Sequence, residues 1–173
     1  MADSYHILSS ATPFGTSINE RADMLDKTRW ANVYSFRELQ VLASYLSAYK
    51  VPKETIILQE GARELYLCLL IRGRVAIYKK DSAQKDKLIA NVNAGMTLGE
   101  MALIDGQPRS ATAVATEDAL LLIMTKEEFV RLSEDAPRLA IKLYAYISSL
   151  LSQRLRHVSA KLAEYLHEEG YLI

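Results

Sequence analysis

The sequence predicts a mainly β fold with flanking helices. Over residues 52–124, short apolar stretches alternate with glycines or polar turns, which is the spacing of antiparallel strands. Helical patterns and capping signals lie mainly before and after this region. About seven strands of this length favour a sandwich, a jelly roll or a barrel over a flat open sheet.

The N-terminal part predicts a leader followed by two helices. Residues 1–16 mix serine, threonine, proline and glycine without apolar periodicity, which indicates an irregular segment. A polar helix is expected over residues 18–34. Ser35 and Glu38 have the spacing of a capping box, so a second helix with one apolar face is predicted over residues 36–47.

The central strands follow from the apolar stretches and from the turns between them. Turn signals divide the stretches from one another: Gly61, Gly73, a polar loop at residues 81–86 and the Glu117-Asp118 pair. The predicted strands cover residues 55–58, 65–71, 75–78, 88–92, 112–116 and 119–124.

The C-terminal part predicts a short helix and a long one. Thr125 and Glu128 form a second capping-box pattern, and Pro137 opens a helix expected over residues 138–167. The first apolar stripe of the long helix would pack on the β region. The second stripe has the four-three spacing of a coiled-coil seam, which predicts a homodimer; alternatively, both stripes pack against the N-terminal helices of the same chain. The first stripe is Leu139, Leu143, Ile147 and Leu150, and the second is Leu151, Leu155, Val158, Leu162 and Tyr165.

Composition and charge argue against several classes of protein. The chain has 21 basic and 21 acidic residues, and a net charge of zero offers no global field for nucleic-acid binding. The single cysteine, Cys68, excludes a disulfide framework and a cysteine-ligated zinc site, and its apolar neighbours predict a buried thiol. No apolar run approaches the ~20 residues of a membrane span, and the N-terminus lacks a secretory signal. We therefore predict a cytoplasmic protein without a membrane segment.

The sequence contains no pattern typical of a metal centre or a nucleophilic enzyme. His6, His157 and His167 are scattered without metal-ligand spacing, and no histidine lies near Ser110 in the sequence to act as its base. We expect neither a metal site nor catalysis.

Residues 97–112 contain the pattern that is most informative about function, a candidate anion-binding segment. Gly99 permits close backbone approach, and residues 100–104 could form a helical turn whose first amides face an anion. The chain then turns back at Gly106 and Pro108, which returns Arg109 to the mouth of that turn as a second phosphate donor. Glu100 is expected to pair with Arg109 while accepting hydrogen bonds from hydroxyls beside the phosphate. A ribose phosphate meets that description.

This segment resembles the phosphate-binding cassette of the cyclic nucleotide-binding domain, the module of catabolite activator proteins, protein kinase regulatory subunits and nucleotide-gated channels. The family pattern is Phe-Gly-Glu, an apolar residue, Ala-Leu, a short variable stretch, then Pro-Arg, a small residue and Ala-Thr. Here it reads Leu98-Gly99-Glu100-Met101-Ala102-Leu103 and Pro108-Arg109-Ser110-Ala111-Thr112, with Leu98 as the one departure.

The resemblance extends over residues 36–166 and implies a fold. That fold is a double-stranded β-helix, or jelly roll, of eight strands with an inserted phosphate-binding cassette and a long C-terminal helix. The domain boundaries we expect are 1–35 for the leader and first helix, 36–137 for the β-roll, and 138–173 for the helix that serves as lid and dimerisation element.

The resemblance also implies roles for individual residues. Arg109 would neutralise the phosphate, Glu100 would accept the ribose 2′-hydroxyl, and backbone amides would complete the phosphate cradle. Arg154 would stack on the purine or bond its edge, or else be a solvated helix charge. The cassette residues implied in binding are Gly99, Glu100, Met101, Ala102, Arg109, Ser110 and Ala111. The base would lie against Ile77, Ile89 and Val92 under Leu150, Leu151, Arg154 and Leu155.

By the same resemblance the ligand is cAMP rather than cGMP, because a threonine after the cassette arginine favours guanine and this chain has Ser110. We expect a regulatory sensor in which ligand binding moves the C-terminal helix and acts on an effector protein. The alternatives are a ligand-free dimerisation module of the same fold, or the sensor fragment of a larger transcription regulator. The sequence ends at Ile173 with no room for a helix-turn-helix domain, so no direct DNA binding is expected.

The neutral net charge hides an uneven distribution. Between Asp135 and Glu164 there is no acidic residue, whereas five basic residues lie on the predicted long helix. This concentration favours attraction of a nucleotide phosphate or an acidic partner to that helix.

Overall fold

A computed structural model describes residues 11–168 of the chain. Within these residues the chain forms nine strands in two antiparallel sheets, with helices at both ends and one short helix inserted between two strands. This arrangement confirms the predicted mainly β jelly roll with flanking helices.

The two sheets face each other. The first sheet has the order β1, β2, β9, β4, β7, and the second has the order β3, β8, β5, β6. In the first sheet the bounds are β1 Thr12–Pro13, β2 Ser47–Val51, β4 Tyr66–Arg72, β7 Thr97–Leu98 and β9 Ala119–Thr125. In the second they are β3 Ile56–Leu58, β5 Arg74–Lys80, β6 Asp86–Asn93 and β8 Thr112–Ala115.

Strands β4 and β9 read as continuous apolar runs because both of their faces are buried. In β4, Leu67 and Leu69 contact the helices, whereas Tyr66, Cys68 and Leu70 point between the sheets. The same alternation in β9 divides the core into a helical layer and an inter-sheet layer. Burial also raises the pKa of the Cys68 thiol to about 12, in agreement with the buried thiol that the sequence predicts.

Five α-helices surround the roll in the described part of the chain. They are α1 Ile18–Asp26, α2 Phe36–Ser44, α3 Glu100–Asp105, α4 Lys126–Asp135 and α5 Pro137–Glu168, and a 3₁₀ turn covers Arg29–Asn32. The capping box of Ser35 and Glu38 is present at the start of α2, and the Thr125 hydroxyl accepts a hydrogen bond from the Glu128 amide at the start of α4.

Three predictions about the N-terminal part are wrong in detail. The helix expected over residues 18–34 ends at Asp26, because the Thr28 hydroxyl donates to the Leu25 carbonyl and caps a separate 3₁₀ turn. The helix expected to reach residue 47 ends at Ser44, since Ser47–Val51 pairs with β9 instead. Within the expected irregular leader, Thr12–Pro13 pairs with β2, and residues 1–10 lie outside the described part.

The cassette segment also begins with a strand that the sequence pattern missed. Thr97–Leu98 pairs antiparallel with Cys68 and Leu69 at the edge of the first sheet. This pairing fixes the start of α3 directly beside β4.

The two apolar stripes of α5 have different surroundings. Leu139, Leu143 and Ile147 of the first stripe are buried among the other helices and the outer faces of β4 and β9, and Leu150 is half-buried. The second stripe is exposed to solvent beyond Leu151. Each of its remaining side chains is at least 55% exposed: Leu155, Val158, Leu162 and Tyr165. The alternative in which both stripes pack within the chain is therefore wrong for the second stripe. No helix within residues 11–168 combines the length and the apolar character that crossing a bilayer requires.

Candidate functional site

Two glycines shape the segment between β7 and β8. Gly99 and Gly106 flank α3 with φ values of +79° and +67°, in the left-handed region that favours glycine. The chain therefore turns sharply into α3 and sharply out of it. The return passes through Pro108 and brings Arg109 back toward Gly99, as the sequence predicts.

Arg109 is buried and held at several points. Its Nη1 donates to the Gly99 carbonyl and its Nη2 to the Tyr66 carbonyl, each at 2.8 Å. The guanidinium lies over the Tyr66 ring, 4.4 Å from the ring centroid. Backbone hydrogen bonds with Gly61 and Ala62 fix the main chain on the other side. The guanidinium is thus positioned before any ligand is present.

Glu100 pairs with Arg154, and the predicted pair with Arg109 is wrong. The Glu100 side chain is 2% exposed, and its Oε1 accepts a hydrogen bond from Nη1 of Arg154 on α5. Arg109 instead uses the two backbone carbonyls. Burial raises the pKa of the Glu100 carboxyl, and the Arg154 charge lowers it by a smaller amount. Arg154 is therefore the main cation that compensates this carboxylate.

Three buried polar atoms at this place have no hydrogen-bond partner among the described residues. They are Arg109 Nε, Glu100 Oε2 and Thr97 Oγ1. A buried polar atom without a partner is costly, so such atoms often belong to sites that a ligand completes. Arg109 offers a donor suited to a phosphate oxygen, and Glu100 offers an acceptor suited to a hydroxyl.

A cavity of about 710 Å³ opens beside these atoms, between the second sheet and α5. Its volume falls within the roughly 300–1,000 Å³ of ordinary small-molecule sites. All but two of the predicted site residues line it: Ile77, Ile89, Val92, Gly99, Glu100, Met101, Ala102, Arg109, Ser110, Ala111, Leu150 and Arg154.

Leu151 and Leu155 are the two exceptions. Leu151 lies on the neighbouring face of α5 and packs against the helical core, whereas Leu155 is 67% exposed. Leu150, the third leucine expected over the base, does line the cavity. The expectation that Leu151 covers a base does not fit this helix rotation.

Sequence reasoning missed several residues of the cavity wall. Arg29 comes from the 3₁₀ turn, and Tyr146, Gln153, His157 and Lys161 come from α5. The signal was present on α5, where Tyr146, Leu150, Gln153, Arg154, His157, Val158 and Lys161 recur at the three- and four-residue spacing of one helical face. Arg29 had no such signal, since its turn reaches the site only through tertiary packing.

The charge of the wall is mostly positive. Among the described residues, the wall carries four cationic side chains and one carboxylate: Arg29, Arg109, Arg154 and Lys161 against Glu100. Such a cavity favours an anionic ligand. Within residues 11–168, no group of three or more histidine, cysteine, aspartate or glutamate side chains is arranged to hold a metal ion.

Known proteins are similar to this chain in sequence. Residues 49–136 match the model of the family described as cyclic nucleotide-binding domain. The cyclic AMP receptor protein of Thermus thermophilus is 31% identical over 133 residues, which cover 77% of this chain and 60% of that protein. The cAMP-dependent protein kinase regulatory subunit of Candida albicans is 25% identical over 90% of this chain and 34% of its own length. The chain spans about three fifths of the length of the Thermus thermophilus receptor and of the Salmonella typhimurium regulator that it also matches.

Solved structures of this family have a similar fold. A cyclic nucleotide-binding domain from Methylobacillus flagellatus superposes with a TM-score of 0.79 at 28% identity, covering 90% of this chain and 89% of the other. The Thermus thermophilus catabolite activator protein gives a TM-score of 0.66 at 28% identity, over 80% of this chain and 61% of its own. With the matched sequence, the shared roll and the glycine-flanked cassette, this chain belongs to the cyclic nucleotide-binding domain family.

Proposed function

We propose that this chain binds a cyclic nucleotide and acts as a regulatory sensor without catalytic activity. One observation carries the proposal: Arg109 and Glu100, a buried donor and a buried acceptor, lie together at the wall of one cavity, and each keeps a buried polar atom without a partner. A cyclic nucleotide presents an anionic phosphate beside a ribose hydroxyl, which matches this pair.

The cavity suggests how the ligand would be oriented. Arg109 would neutralise the phosphate, with backbone amides at Met101, Ala102 and Ser110 as further donors. Glu100 would accept the ribose 2′-hydroxyl. The base would then extend along the apolar wall formed by Ile77, Ile89 and Val92, toward Leu150 of α5. In this pose the polar and apolar parts of the ligand face matching walls.

We infer that cAMP is preferred over cGMP. The residue after the cassette arginine is Ser110, whereas family members that favour guanine carry threonine there. Several relatives are named for cAMP, among them the Thermus thermophilus receptor and the Candida albicans kinase subunit. Substitution of Ser110→Thr should therefore raise the ratio of cGMP affinity to cAMP affinity. An unchanged ratio would remove the argument from Ser110.

The consequence of binding would be a change in the position of α5. This helix supplies the outer wall of the cavity, so a ligand contacts both the roll and the helix. The exposed stripe of Leu155, Val158, Leu162 and Tyr165 would carry that change to a second copy of the chain or to an effector protein. The alternative is the sensor segment of a longer regulator, and the partial coverage of the bacterial relatives is what supports it.

A second candidate is a ligand-free structural module of the same fold. Arg154 favours it, because this side chain already compensates Glu100 without any ligand. In such a module the Glu100 and Arg154 pair would simply hold α5 against the roll.

Isothermal titration calorimetry separates the two candidates. Protein freed of carried-over nucleotide is titrated with cAMP and with cGMP. The sensor proposal expects saturable binding that Arg109→Ala abolishes, because the phosphate charge is left unpaired. Arg156→Ala, an exposed residue of α5 outside the cavity, serves as the control and should bind like the wild type. No binding at about 1 mM of either nucleotide would reject the sensor and favour the structural module.

A further inference from the structure

The contact between Arg154 and the cassette has a further consequence. We infer that Arg154 is an internal competitor for Glu100: it latches the second half of α5 (residues 152–168) onto the roll, and an incoming ligand hydroxyl must displace it. The ligand part of this inference rests on the proposed function, whereas the latch itself does not.

The latch joins α5 to two points of the cassette region. Arg154 donates through Nη1 to Glu100 Oε1 and through Nη2 to the Thr97 carbonyl, the latter at 2.5 Å. Glu100 and Thr97 lie on α3 and β7, so both contacts reach the rigid start of the cassette. A planar guanidinium with two separate acceptors has a defined orientation.

Little else holds this half of the helix. Within residues 11–168, the side-chain hydrogen bonds from α5 to other elements come from Lys142, in the first half, and from Arg154. Apolar packing in the helical layer ends at Leu151, and the stripe from Leu155 onward is exposed. Arg154 is therefore the main polar connection between the second half of α5 and the roll.

The latch also closes Glu100 to a ligand. Its Oε1 is occupied by Arg154, and its Oε2 has no partner but is fully buried. While Arg154 is docked, a hydroxyl entering the cavity therefore reaches neither oxygen, because Oε1 is already bonded and Oε2 is not accessible. Binding through Glu100 then requires an exchange in which a neutral hydroxyl replaces a charged guanidinium. The same exchange opens the latch and releases the second half of α5 from the roll.

This exchange makes a quantitative prediction about the ribose hydroxyl. In the wild type the hydroxyl gains a hydrogen bond to Glu100 only by breaking the bond to Arg154, so its net contribution to affinity is small. In Arg154→Gln there is no charged competitor, and the hydroxyl contributes in full. If Arg154 instead contacts the ligand directly, the substitution weakens binding whether or not the hydroxyl is present.

The experiment is a double-mutant cycle with cAMP and its 2′-deoxy analogue. Kd values are measured for the wild type, Arg154→Gln and the control Arg156→Gln. We expect the affinity ratio of cAMP to 2′-deoxy-cAMP to be about tenfold larger in Arg154→Gln than in the other two proteins. A ratio that is unchanged or smaller in Arg154→Gln would overturn the competition.

A second measurement tests the latch without any ligand. Hydrogen exchange of the amides in residues 152–167 should be faster in ligand-free Arg154→Gln than in the wild type or in Arg156→Gln, while the roll exchanges equally in all three. Equal exchange in all three proteins would overturn the latch. Failure of every protein to bind a nucleotide would reject the proposed function, and the exchange rates would still decide whether Arg154 holds α5. Binding by Arg154→Gln alone would support both.

Discussion

The guanidinium of Arg109 occupies the space that a side chain on Gly99 would need. Its Nη1 lies 2.8 Å from the position of a Cβ on Gly99, and the Tyr66 carbonyl oxygen lies 2.9 Å from the same point. Gly99 also accepts a hydrogen bond from this Nη1 through its carbonyl. The glycine thus provides both the room for the arginine and one of its anchors, so the two residues act as a unit.

We expect Gly99→Ala to weaken both the fold and the site. An alanine is strained at this left-handed φ, and its Cβ makes two short contacts that only a shift of Arg109 or of the β4 backbone relieves. Together these effects should lower the free energy of unfolding by about 1–3 kcal/mol. Because Arg109 would shift, nucleotide affinity should fall as well. Denaturant titration and calorimetry measure the two effects.

Gly106→Ala is the matched control for that substitution. Gly106 has a similar φ of +67°, but a Cβ there meets nothing within 4 Å. Only the backbone preference is lost, about 1 kcal/mol, and affinity should be retained. If the two variants lost affinity equally, the close approach of Gly99 and Arg109 would not be what positions the arginine.

The sequence predicted the parts of this molecule that local patterns determine. Apolar runs marked β4 and β9, capping residues marked the start of α2 and α4, and the two glycines with Pro108 marked the cassette. Each of these depends on residues close together in the chain. The resemblance to a known cassette then identified Glu100 and Arg109 together.

Long-range packing decided the features that were missed. Ser47–Val51 lacks a strong strand pattern of its own and becomes a strand by pairing with β9. The partner of Glu100 is Arg154, 54 residues away, and its identity depends on how the first stripe of α5 rotates the helix on the core. The same rotation turns Leu151 away from the cavity. No local spacing contains this information.

The tie between Glu38 and Lys142 should make stability sensitive to acid. Lys142 Nζ lies 2.9 Å from both carboxylate oxygens, and this contact, helped by the Ser35 backbone amide, lowers the pKa of Glu38. A carboxyl with a lower pKa in the folded state stabilises the fold above its ordinary value of 4.5, and this contribution is lost as the pH falls through the folded pKa.

We therefore expect Lys142→Met to reduce the loss of stability on acidification. Both side chains are about one third exposed, so at neutral pH the substitution should cost no more than about 1 kcal/mol. Unfolding free energies of the wild type and the variant should converge as the pH falls below 4.5. Arg156→Met, at an exposed position of α5 outside the cavity, is the control. Parallel curves for wild type and Lys142→Met would show that the contact does not perturb Glu38.

The exposed stripe of α5 should mediate self-association. An apolar seam of this spacing, open to water on an isolated chain, is stabilised by a partner helix. We expect the wild type to sediment as a dimer at micromolar concentration and Leu155→Glu/Leu162→Glu to sediment as a monomer with an intact roll. Ala160→Glu, on the opposite face of the helix, should leave the dimer unchanged. A monomeric wild type would contradict the homodimer.

Burial of Glu100 sets the sign of a second pH dependence. Burial raises the pKa of this carboxyl, and the Arg154 charge opposes the shift without cancelling it. A carboxyl with a higher pKa in the folded state holds its proton more tightly when the chain is folded. Its contribution to the free energy of unfolding is present below the ordinary value of 4.5 and is lost as the pH rises through the folded pKa.

We expect Glu100→Gln to remove this loss, because the amide does not ionise. The free energy of unfolding of the wild type minus that of the variant should fall as the pH rises from about 4 to about 7. In Arg154→Gln the opposing charge is absent, so ionisation of Glu100 should cost more and stability should fall more steeply over this range, whereas Arg156→Gln should follow the wild type. Denaturant titrations at fixed pH values measure these differences. A wild-type advantage that grows with pH would mean that the pair with Arg154 outweighs burial, and that the carboxylate is stabilised rather than penalised in the folded protein.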